Sequence, residues 1–158
     1  DTQLIGGALE PLYRPATSTA PATLYFREDY PASALHEVAH WCIAGTQRRR
    51  QEDFGYHYIT GPSNAEDQVA FFESELRTQS LERAFALALG LEFQPSADNV
   101  EADIDAFTQA IQAHPPTLHD WLASSAGARA RTFIRALERT RERIAQDLHP
   151  PLALGAAR

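Results

Sequence analysis

The segment Pro31–Gly45 (PASALHEVAHWCIAG) constrains this chain more than any other. Proline suits the first turn of a helix, where its missing N–H costs nothing, and Gly45 is placed to close one. Between them Ala34, Leu35, Val38, Ala39, Trp41, Cys42 and Ile43 put apolar side chains nearly all the way round. A helix that is apolar on every side is a buried one. This helix also carries His36, Glu37 and His40, which are costly to bury without partners. The fold must therefore enclose the helix and bring partners to those three side chains.

Histidines four apart on a helix project from one face, one turn above the other. That spacing lets His36 and His40 reach a single divalent metal ion, with Glu37 beside them as a candidate catalytic acid or base. Two histidines do not complete a site, and the best source of a further ligand is Phe71-Phe72-Glu73-Ser74-Glu75. At roughly 100° per residue, Glu73 and Glu75 cannot face one point equally well. Periodicity does not choose between them, and the alternative for each is a solvated surface charge. Two histidines and a carboxylate suit iron(II) chemistry with dioxygen, or zinc activating water with Glu37 as base. The short motif alone leans toward zinc.

The rest of the chain reads as follows. Gly6-Gly7, Pro11, Pro15 and Pro21 punctuate an opening third of loop with short extended pieces, and Thr23–Arg27 is a predicted strand. After Arg48-Arg49-Arg50, the aromatic-rich Phe54–Ile59 suits a short strand. Helices are predicted over Ala65–Leu76, over Gln79–Leu89 with a stop at Gly90, and over Asn99–Ala113 with Asp98 as its cap. A short helix around Leu118–Ala123 follows Pro115-Pro116. A long amphipathic one over Ala128–Leu148 then bears the stripe Phe133, Ile134, Leu137, Ile144 and Leu148. The expected fold class is α+β, predominantly α-helical: a single domain over 1–149 with two or three short strands near the front and a flexible tail at 150–158.

With 158 residues, 44% hydrophobic and 22% charged, the chain can bury a core of ordinary size. Its net charge of −7 gives no global signal for nucleic acid or an anionic membrane and favours a cationic substrate or partner. The single cysteine, Cys42, excludes an intrachain disulfide and fits core packing. Together with the lack of a secretory or membrane-spanning run, it points to the cytoplasm. No Met is present, so residue 1 is not a natural start and preceding sequence is expected.

Asp53-Phe54-Gly55-Tyr56-His57-Tyr58 is the remaining candidate. Gly55 among aromatics suggests close backbone approach. Asp53, Tyr56 and Tyr58 suit a pocket for a cation, or an aromatic core with an Asp turn cap. His57 is a possible extra ligand or a strand-surface residue. His114, His119 and His149 sit by prolines or helix ends and are expected to be solvent-exposed. Arg48, Arg49 and Arg50 follow a helix C-terminus, where positive charge complements the dipole.

Ala34-Leu35-His36-Glu37-Val38-Ala39-His40-Trp41-Cys42-Ile43-Ala44-Gly45, the Arg run and Asp53-Phe54-Gly55-Tyr56 resemble the bacterial elongation factor P hydroxylase family. The likeness extends back to Glu10–Ala16 and on through Phe71–Glu75, Gln79-Ser80-Leu81, Asp98-Asn99 with Glu101 and Asp103, and Arg131–Leu137. The resemblance implies a metal-dependent hydroxylase, with iron(II) the expected metal and dioxygen the cosubstrate. It implies action on the β-lysylated lysine of elongation factor P. His36 and His40 carry over directly as ligands. Glu75 matches the family's carboxylate through Ser74-Glu75 ahead of Gln79-Ser80-Leu81. Phe72 stands where an acidic residue is usual and Arg77-Thr78 where Lys-Pro is usual, which leaves Glu73 as an alternative ligand; His57 stands where an aromatic is usual, a change in the pocket lining.

On that resemblance Glu37 orients a ligand histidine or handles protons, while Asp53, Tyr56 and Tyr58 line a channel for a long dicationic side chain. The His-x-x-x-His pair on a helix differs from the His-x-Asp pair of 2-oxoglutarate enzymes, so no such cosubstrate follows. The runner-up is a gluzincin-like zinc metallopeptidase with Glu37 as base. A third class is a non-catalytic module that binds the translation factor around a structural metal.

Overall fold

The computed structural model describes residues 2–55, 65–95 and 104–148. Three strands come first: β1 (Thr2–Ala8), β2 (Leu12–Arg14) and β3 (Ala22–Arg27). They form one sheet in the order β1-β3-β2, with β1 parallel and β2 antiparallel to β3. The predicted strand at Thr23–Arg27 is β3, and β1 and β2 are strands within the stretch expected as loop with short extended pieces, β1 running through Gly6-Gly7. Its Gly6-Gly7 pair breaks the register between Ile5 and Ala8 rather than ending the strand. A side chain at Gly6 would lie within 2.8 Å of Glu28 O and Phe26 Cζ, so only glycine lets β1 approach the end of β3.

Helix α1 (Pro31–Ile43) starts on Pro31 and buries Leu35, Val38, Ala39 and Cys42. It closes at Ala44, whose N–H bonds to His40 O; Gly45 lies just past the end without a left-handed φ. Two guanidinium groups cap it instead. Arg129 donates to the carbonyls of Cys42 and Ala44 while lying 4.6 Å over the Trp41 ring, and Arg49 also donates to Ala44 O. Positive charge at a helix C-terminus is favourable. Arg48–Arg50 form a single 3₁₀ turn, and a second spans Glu52–Gly55. Phe54 and Gly55 thus belong to a turn and not to the expected strand, whose remainder lies outside the described residues.

The two helices expected over Ala65–Leu76 and Gln79–Leu89 are one, α2 (Ala65–Leu89). Nothing at Arg77-Thr78 breaks a helix. The hydroxyls of Thr78 and Ser80 donate back to Ser74 O and Leu76 O, which satisfies them inside a continuous turn. Gly90 ends α2 with φ +78, Leu91 N–H bonding Ala86 O and Gly90 N–H bonding Leu87 O, the Schellman pattern. Then come α3 (Ile104–Ala113), α4 (Pro115–Ala123) and α5 (Ala128–Leu148). Helices α3 and α5 agree with the predicted helices over the described residues, whereas α4 starts earlier than expected because Pro115 and Pro116 fill its first turn, where a missing N–H costs nothing.

Helix α1 packs on β3 and on α2, and α2 packs in turn on α3 and α5. The core gathers Leu24 and Tyr13 from the sheet, the buried face of α1, Leu81 and Phe85 from α2, Leu118 from α4 and Ala130 from α5. The protein is a mostly helical domain with a small sheet on one side. Among the described residues no helix is long and apolar enough to cross a membrane.

Phe85 is fully buried and meets Phe133 edge-to-face at 4.9 Å, tying α2 to α5. Phe85→Ala is expected to cost about 3–5 kcal/mol through lost transfer energy and the cavity left behind. Urea unfolding should show a lower midpoint with unchanged slope; a loss under 1 kcal/mol (about a fivefold change in the folding constant) would show that this contact does not hold α2 in place.

Candidate metal centre

Helix α1 turns His36 and His40 toward α2, and Glu75 comes from the facing turn of α2. The nearest ligand atoms of these three residues all lie within 4.8 Å of one another. His36 Nε2 is 3.1 Å from His40 Nε2, His40 Nε2 is 3.5 Å from Glu75 Oε1, and His36 Nε2 is 3.8 Å from Glu75 Oε2. Donors about 2.0–2.2 Å from one ion at tetrahedral or octahedral angles stand roughly 3–3.5 Å apart, so two nitrogens and a carboxylate at these spacings fit a divalent metal. No other His, Cys, Asp or Glu among the described residues joins the group.

Each of the three has a further partner on α2. His36 Nδ1 lies 2.9 Å from Glu82 Oε2, His40 Nδ1 lies 3.4 Å from Thr78 Oγ1, and Gln79 Nε2 donates to Glu75 Oε2 at 3.3 Å. Reading the sequence missed Glu82 and Thr78 as site residues and met Gln79 only within the resemblance. The signal was present: Glu75, Thr78, Gln79 and Glu82 recur at i, i+3, i+4 and i+7, a polar stripe beside the apolar Leu81 and Phe85. Dividing α2 at Arg77-Thr78 hid it by placing Glu75 and Glu82 on separate elements.

Electrostatics follow the geometry. Burial opposes the charged form of His36, but the hydrogen bond and charge of Glu82, with Glu75 and Glu37 behind, overcome it and push its pKa up to about 9. Burial likewise opposes the charge of Glu75, yet His40, His36 and Gln79 hold its carboxyl below the usual range. Glu37 goes the other way: burial raises its pKa, aided by the negative charges of Asp53 and Glu75 and countered by the two histidines.

The family model described as elongation factor P hydroxylase matches residues 1–149. The chain is a member of the elongation factor P hydroxylase family. It is similar to the elongation factor P lysine hydroxylase of Haemophilus influenzae, with 41% identity over 115 residues that cover 70% of this chain and 65% of that protein. The match thus spans just under two thirds of the relative's length.

Within this family member the expected site residues separate. Glu75 is buried beside the histidines, whereas Glu73 is exposed on the same helix. Glu37 is half-buried next to the group on α1. Asp53 sits in a left-handed conformation (φ 45°), and its Oδ1 accepts the backbone N–H of Tyr13 at 2.8 Å, so one of its oxygens holds the turn to β2. Phe54, also left-handed at φ 57°, stacks on Tyr13 at 4.2 Å and lies 6.5 Å from the His40 ring. Tyr56, His57 and Tyr58 lie outside the described residues, as do Asp98 and His149. His119 is exposed as expected, but His114 is only half-exposed, its Nδ1 buried and without a hydrogen-bond partner among the described residues; burial and the nearby charge of Arg77 lower its pKa. The position of His114 at the start of α4, packed toward α2, explains the difference.

A pKa near 9 in the fold against 6.5 for an ordinary histidine means that His36 stabilises the metal-free fold fully below about pH 6.5 and loses that contribution as pH rises through about 9. With a chelator present, the unfolding midpoint of the wild type should fall across this window more than that of Glu82→Gln. Equal falls would show that Glu82 does not hold the His36 charge.

Proposed function

We propose that this protein hydroxylates the β-lysylated lysine of elongation factor P, with iron(II) held by His36, His40 and Glu75. The observation that carries the reading is the convergence of these three donors from α1 and α2 in a member of this family. A redox-active ion at that point supplies the activation of dioxygen that insertion into a C–H bond demands. One oxygen atom enters the substrate, and the other leaves as water with two electrons and two protons from an external reductant.

The chain's own residues do the rest. His36, His40 and Glu75 would hold the ion, three protein donors being fewer than a divalent metal takes. Glu37, whose carboxyl holds its proton more tightly than usual, stands beside the ligands as a group that takes and returns protons. Asp53 is assigned to the substrate's ammonium groups, together with Tyr56 and Tyr58, on the family resemblance alone, and the net negative charge of the chain draws that cationic side chain in.

Intact-mass measurement of β-lysylated elongation factor P, after incubation with iron-loaded protein, dioxygen and a reductant, should show a single-oxygen gain. His36→Ala, His40→Ala or Glu75→Ala should each abolish both the gain and the bound metal, while Glu73→Gln keeps both. Peptide cleavage with no mass gain, lost in Glu37→Gln, would replace this reading with the zinc peptidase. If Glu37 handles protons, Glu37→Gln should slow hydroxylation by about 10²–10⁴-fold at unchanged metal stoichiometry.

A further inference from the structure

The two histidines each have two ring nitrogens, and nothing in their spacing on α1 says which one meets an ion. The geometry points to Glu82 as the residue that decides this for His36: we propose that it is a positioning residue which presents His36 to the metal through Nε2. The proposal rests on the reading that His36, His40 and Glu75 hold a metal.

Glu82 lies two turns beyond Glu75 on α2 and therefore on the same face. It is 6% exposed, and the buried neighbours Leu81 and Phe85 give a carboxylate nothing to bond with. Burying such a group is costly unless it is paired. The pairing it makes is to His36 Nδ1, at 2.9 Å. A carboxylate only accepts, so Nδ1 carries the proton of that bond. When the imidazole is neutral, its lone pair is then on Nε2, the atom that faces His40 Nε2 at 3.1 Å and Glu75. Thr78 supports the same arrangement at His40. Its hydroxyl donates to Ser74 O at 3.0 Å, which leaves the oxygen lone pair as acceptor toward His40 Nδ1 at 3.4 Å. One face of α2 thus contributes a ligand and orients the other two. Partners of this kind fix tautomer and ring direction, and their loss typically weakens metal binding by about 10–100-fold.

Cobalt(II) titration with chelator competition tests the proposal, read by affinity and by the visible absorption of the bound ion. Glu82→Leu should bind cobalt about 10–100-fold more weakly than wild type, with a shifted absorption band. Glu82→Gln keeps an oxygen that accepts the Nδ1 proton, so it should recover the wild-type band and most of the affinity. On the zinc-loaded wild type, nitrogen-15 NMR should show His36 protonated at Nδ1 and coordinated at Nε2, a readout that holds even if Glu82→Leu fails to fold. Wild-type affinity and spectrum in Glu82→Leu, or coordination through Nδ1, would overturn the role of Glu82 alone. A wild type that takes up no cobalt, or whose uptake survives His36→Ala, would overturn the metal reading beneath it.

Discussion

The structure depends on one packing contact, that of α1 against α2. Each helix turns a buried face to the other, and each such face carries polar groups that the interior tolerates only in pairs. Leu35, Val38, Ala39 and Cys42 belong to one core with Leu81 and Phe85, while His36 and His40 meet Glu75, Thr78 and Glu82. Apolar contacts draw the helices together, and the polar contacts set their relative rotation. A turn of either helix by one residue would bury a carboxylate against hydrocarbon and leave an imidazole unpaired.

The rest of the molecule keeps that contact in place. On one side the sheet supports α1, and the strained turn at Asp53-Phe54 is tied to β2 through the Tyr13 backbone, with the Phe54 ring lodged between Tyr13 and His40. At the far end Arg129 of α5 reaches the last carbonyls of α1 and covers Trp41. Behind α2, Phe85 and Phe133 lock it to α5. Left-handed backbone at a Phe is unfavourable and persists only where the surroundings impose it; here the imposed position brings an aromatic wall to within 6.5 Å of a candidate ligand ring.

Much of this was legible because its cause is local. The start of α1 at Pro31, the stop of α2 at Gly90 and the bounds of α5 follow from backbone chemistry and apolar periodicity. Strand β1 was not legible, since Gly6-Gly7 reads as a loop unless one knows that the end of β3 crowds against it. The continuity of α2 was obscured by its polar middle, where Thr78 and Ser80 satisfy themselves on the preceding turn, Gln79 donates to Glu75, and Glu75 and Glu82 face the histidines of another helix.

The sequence by itself determined that a buried helix would present His36 and His40 from one face, because a four-residue step and an apolar surround are properties of the chain alone. It also carried the family, in the long string of residues around that pair. Only the tertiary structure decided that Glu75 and not Glu73 stands beside the histidines, and that Glu82 stands behind them. Both glutamates at 73 and 75 lie on one helix, and which of them faces α1 depends on how α2 is rotated in the core. That rotation is set along the whole of α2, by the apolar packing of Leu81 and Phe85 and by the polar contacts of Thr78 and Glu82 with α1, so the stripe through Glu75 can be read only once α2 is known to be one continuous helix.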